Sequence, residues 1–199
     1  MKKAILAVAL ATAMGFMGIA PQATAADARS TRFKLVPSAG AATCLSPAAQ
    51  GVVTINDLGP VQNMHVELFN MPPKTEFATF LIQVPNKPFG LVWYQGDVVT
   101  NHLGHGVGDF TGIFSQETFI MAPGVAAAPV VFPDDANANP ATPPVQIYHL
   151  GLWFADANDA QKAGCANTPT AFDGDHQAGI QALNTSNFAD DHGPLLNLK

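Results

Sequence analysis

His102 and His105 stand three positions apart in Asn101-His102-Leu103-Gly104-His105-Gly106, with Asp97 and Asp109 on either side. Imidazole with carboxylate is a donor set that suits zinc or copper. The same six residues read as a hairpin tip, in which Gly104 and Gly106 would supply the positive φ that tight turns use. A three-residue spacing on such a tip does not by itself aim two rings at one point, so the turn is the plainer reading.

The remaining histidines separate by context. His149 lies in an apolar run with Gly151 and Trp153 on its face, which reads as a core histidine with satisfied nitrogens. His65 alternates onto a polar face with Glu67. His176 follows Asp173-Gly174-Asp175, and His192 follows Asp190-Asp191. Asp135-Ala136-Asn137-Ala138-Asn139 has the alternating oxygens of a calcium loop. Pro140 then stands where the glycine should be, and Gln146 stands where the closing glutamate should be. Glu67, Glu76 and Glu117 are possible acid or base groups, and each is also the polar half of a strand. Met64, Met71 and Met121 are soft donors, but Met64 shares its face with Val66 and Leu68 and reads as core. No Gly-Xaa-Ser-Xaa-Gly elbow is present, and no glycine loop opens a helix to cradle phosphate. No catalytic residue is assigned.

Cys44 and Cys165 are the two cysteines of the chain. Neither has a second Cys or His within a few residues, so a local metal knuckle is disfavoured. An even count in an oxidising compartment reads as one disulfide. The closed loop would span 121 positions.

The elements that must position these residues read as strands. Gly51 to Ile55 is short and β-branched. Val61 to Phe69 alternates Met64, Val66 and Leu68 against Asn63, His65 and Glu67. Thr75–Val84, Phe89–Thr100, Val107–Met121, Val145–Phe154 and Ala178–Leu183 continue the series, with Phe33 and Leu35 marking a first short strand. Asp156 and Gly164 bracket one short helix. The spacing predicts an all-β chain: an antiparallel Greek-key β-sandwich of about eight strands with one short helix.

Residues 1–25 read as a signal peptide. Lys2 and Lys3 precede an apolar run from Ala4 to Ala20, and Ala23-Thr24-Ala25 supplies a cleavage site. Residues 26–50 form an N-terminal strand and tether carrying Cys44. Residues 51–199 form the sandwich domain, with a long loop at 123–144 and a polar C-terminal tail in which Leu195, Leu196 and Leu198 can dock. No later stretch is long and apolar enough to span a bilayer, so the exported chain is expected to be soluble and periplasmic, wall-bound or extracellular. Without Lys2 and Lys3 the balance is seven bases against fifteen acids, which disfavours nucleic acid as a partner.

The stretch from Gly51 to Gln83 resembles the opening of copper/zinc superoxide dismutase-like sandwiches and of the related chordin-type domains. Gly51-Val52-Val53-Thr54-Ile55 matches their first strand, Met64 to Phe69 the second, and Met71-Pro72-Pro73 the turn. The resemblance implies a related scaffold without the copper histidine pair. Those histidines would fall on Leu81 and Gln83, or on Thr79 and Leu81, depending on the alignment after the turn. The family's disulfide also joins an internal loop to the last strand, whereas Cys44 precedes the first matched strand.

The function expected from these residues is an exported, disulfide-closed β-sandwich with a binding or structural, non-catalytic role and no cofactor. The alternative is a superoxide dismutase-like copper or zinc metalloprotein using surface histidines, His102 and His105 first among them. Contact surfaces are expected on the loops Asn101–Gly106, Pro123–Pro144 and Asp173–His176.

Overall fold

A computed structural model of the chain describes residues 29–117, 144–170 and 177–198. The expectations placed on residues 1–25, on 118–143 and on His176 lie outside the described residues.

Alternation decides where each strand puts its side chains. In β2 (Gln50–Asp57) and β3 (Gln62–Phe69) every second residue is buried, so Val53, Ile55, Met64, Val66 and Leu68 face inward. β1 (Ser30–Pro37) adds Phe33 and Leu35 to the same core. β4 (Glu76–Ile82) and β9 (His149–Phe154) are buried on both faces except at Glu76, which accounts for their continuous apolar runs. β5 (Val92–Val99) and β6 (Gly106–Gly112) keep a more exposed outer face. β7 (Gln116–Glu117) and β8 (Val145–Gln146) form a separate two-residue ladder, and β10 (Gln181–Asn184) is the last strand.

Eight strands form one antiparallel sheet in the order β5-β4-β9-β10-β1-β2-β3-β6. β1 makes this sheet continuous. Its residues Ser30 to Leu35 pair with β2, while Val36 and Pro37 pair with Asn184 and Leu183 of β10. The sheet therefore curls around its core until its two end strands meet at one bridge, Thr100 with Gly106. The all-β antiparallel class and the short helix agree with the sequence. The two expected layers are the two halves of a single, nearly closed sheet.

Across the closing seam, side chains replace the missing ladder. The Phe110 ring covers Gly96, whose φ of +146° suits glycine alone, and a methyl there would lie 2.7 Å from the ring. Val98 packs against Gly108 in the same way.

α1 (Ala157–Lys162) begins and ends as the sequence suggests. Asp156 caps it by accepting from the Asn158 amide at 2.7 Å, and Gly164 follows it with φ +85°. Ala157 and Ala160 are its buried residues. Cys165, just beyond, forms a disulfide with Cys44, the Cα atoms 5.1 Å apart. The bond ties the helix end to the turns after β1. No helix among the described residues is long and apolar enough to cross a membrane.

Candidate functional site

The outer face of the β4–β9–β10 half carries a second apolar cluster. Ala78, Phe80 and Ile82 of β4 and Trp153 of β9 form it, with Phe89 from the loop after β4. Trp153 stands edge-on to both Phe80 and Phe89, at centroid distances of 5.4 and 5.2 Å. The sequence pattern places Phe89 at the start of a strand. It has φ +64° and belongs to a loop folded back on β4, where the Gln83 amide donates to the Phe89 carbonyl at 3.1 Å. The side chain of Gln83 holds the same loop, its Oε1 accepting from the Leu91 amide at 2.6 Å.

A groove of about 950 Å³ opens beside this cluster, between the loops at 38–40 and 86–89 and the segment at 168–170. Its wall is mainly apolar, with Phe89, Trp153, Pro88, Pro169, Ala39 and Ile180. Two of its hydroxyls, those of Ser38 and Thr170, hold the rim. Ser38 Oγ donates to the Gln181 carbonyl, and Thr170 Oγ1 donates to the Gly179 carbonyl at 2.6 Å. Gln181 also contributes to the wall. Its Oε1 accepts from Asn184 Nδ2 at 2.9 Å, while its buried Nε2 has no hydrogen-bond partner among the described residues. Lys87 stands exposed at the rim and makes no ion pair among the described residues.

The histidines do not gather there. His102 is exposed in its turn, and the His105 ring lies against Phe69 at a centroid distance of 5.0 Å. The turn is shaped by Asn101, whose Oδ1 accepts from the amides of Leu103 and His105. Gly104 has φ +72°, and a Cβ there would fall 2.0 Å from the Met71 carbonyl oxygen. Gly106, expected to share that role, is instead a strand residue buried under Val98. His65 Nδ1 lies 2.8 Å from Asp109 Oδ1 on the outer face, and His192 Nδ1 lies 2.7 Å from Asp191 Oδ1. Among the described residues no three His, Cys, Asp or Glu side chains converge to hold a metal.

Tyr94 and Glu117 are among the groups held away from their ordinary values. Burial, then the hydrogen bond to Asp97 and the charges of Asp97 and Glu76, push the Tyr94 phenol up to about 12. Burial raises the Glu117 carboxyl.

Sequence reasoning missed the groove. Its wall comes from five segments far apart in the chain, and the only local sign was the Pro85-Asn86-Lys87-Pro88 turn between two strands. No family model, no curated protein and no solved structure matches this chain.

Proposed function

We propose that this is an exported, disulfide-closed β protein with a non-catalytic binding role outside the cytoplasm, and that its ligand seats in the groove beside Trp153. The observation that carries the reading is the groove itself. Its size suits a small organic molecule, and its wall is apolar with few polar groups, the usual make-up of such sites. The Ser38 and Thr170 hydroxyls at its rim are spent on backbone carbonyls, which favours holding a ligand over attacking one.

Export is supported by the charged, apolar and small-residue order of residues 1–25 and by a disulfide closing a loop of 121 positions. A Greek-key sandwich is supported by the order β3, β6, β5, β4 around the curled sheet, which sets the fourth strand of a meander beside the first. The dismutase- and chordin-like scaffold remains part of this reading. Thr79, Leu81 and Gln83, where its copper histidines would fall, are all buried.

The test uses anilinonaphthalene sulfonate, an apolar fluorophore with one anionic group. The folded protein should enhance its emission at a stoichiometry of about one. Ala39→Trp, which fills the groove from its rim, should abolish the enhancement and leave the melting temperature in place. Equal enhancement in that variant would refute the assignment.

A further inference from the structure

Six of the eight exposed large apolar side chains among the described residues lie between positions 93 and 113: Trp93, Tyr94, Val99, Leu103, Val107 and Ile113. They border the seam where β5 and β6 end the sheet without pairing beyond the bridge of Thr100 with Gly106. Counting outward from that bridge sets Val99 opposite Val107 and Asp97 opposite Asp109. Val99 and Val107 are 58% and 46% exposed, so the centre of the seam is apolar and open to solvent.

Carboxylates surround that centre. Glu76 pairs across the ladder with Val99, and Glu67 pairs with Val107. Asp97 and Asp109 stand in the next outward row, where Asp97 accepts from the Tyr94 hydroxyl at 2.7 Å and Asp109 holds His65. No Lys or Arg occurs from Pro88 to Gln161. Lys74 comes near only at the tip, where its amide donates to the Asn101 carbonyl, and Arg32 and Lys34 lie on β1, beyond β2.

We infer that the β5–β6 seam is a docking surface for an extended, cationic polypeptide segment whose apolar residues alternate with Lys or Arg. The alternation follows from the site. An extended chain sends successive side chains to opposite sides, so its apolar set covers Val99 and Val107 while the long stems of the Lys or Arg set bend round the strand to the four carboxylates beside them. A second copy of this chain docked by the same face would bring eight carboxylates together, which disfavours self-association there. The seam is separate from the groove beside Trp153 and does not depend on it.

Calorimetric titration of the full protein with three ten-residue peptides tests this. One alternates Lys with Val, one Lys with Ser and one Glu with Val. The Lys–Val peptide should bind, with affinity falling as salt rises. The other two should bind at least about tenfold more weakly, since each lacks half of the match. Asp97→Asn with Asp109→Asn, and separately Val99→Ser with Val107→Ser, should each weaken the Lys–Val peptide by a similar factor. All four positions are exposed, so the variants should melt near the parent protein. Absence of Lys–Val binding, equal binding of the Lys–Ser peptide, unchanged affinity in both variants, or a dimer dissolved by the valine changes would overturn the inference.

Discussion

His149 Nε2 donates to the main-chain carbonyl of Asp190, 3.0 Å away, and so fastens the C-terminal tail to the middle of the sheet. The carbonyl can only accept, which fixes the proton on Nε2 and leaves Nδ1 to accept from the Thr185 hydroxyl at 2.8 Å. The ring is fully buried and neutral. Just beyond, the Leu195 amide donates to the Tyr148 carbonyl, and the Leu195 side chain is buried in the core.

Burial lowers the His149 pKa below its ordinary 6.5. The unfolded chain therefore takes up this proton before the folded one does. The stabilisation is complete above pH 6.5 and falls as pH drops toward the folded value, by at most about 1.4 kcal/mol per pH unit. Thermal melts across this range should show that slope, and His149→Gln should flatten it even if its melting temperature is lower throughout.

Cys44→Ser and Cys165→Ser should destabilise by equal amounts, since each removes the same link. Loop-closure reasoning allows about 4–5 kcal/mol for so long a loop, with measured cases often lower. Urea unfolding of the two single variants and the double variant should give three coincident midpoints. Distinct midpoints for the single variants, or free thiols in the oxidised native protein, would contradict the shared bond.

Gly96→Ala should cost about 1–3 kcal/mol, because its added methyl meets the Phe110 ring at a φ of +146°. Phe110→Leu in the same chain should recover part of the loss. The double-variant cycle separates the steric share, which Leu relieves, from the backbone share, which it cannot.

Asn184 joins β10 to the loop after β4. Its Nδ2 donates to the Pro85 carbonyl and to Gln181 Oε1, both buried, and its Oδ1 accepts from the amide of the exposed Ser186. Asn184→Ala leaves the Pro85 carbonyl and Gln181 Oε1 buried and unmet, and should lower stability by about 2–3 kcal/mol on chemical denaturation. It should also loosen the loop that carries Phe89, read as reduced fluorophore enhancement in the groove while the protein remains folded.

The sequence determined what each strand does locally. Alternation showed that Met64, Val66 and Leu68 face inward and His65 and Glu67 outward, and the apolar surroundings of His149 marked it as a core histidine. Asp156 and Gly164 bounded the helix, and two isolated cysteines implied one bond. A period of two, however, gives a strand its inside and outside without naming its neighbours. Only the tertiary structure decided that β1 bends to pair with both β2 and β10, turning two expected sheets into one. It also decided that β4 lies beside β9, bringing Trp153 under Phe89, and that β5 and β6 approach without a ladder. The groove and the seam both arise from such distant pairings, whose register depends on the packing of the whole core and is encoded in no single segment.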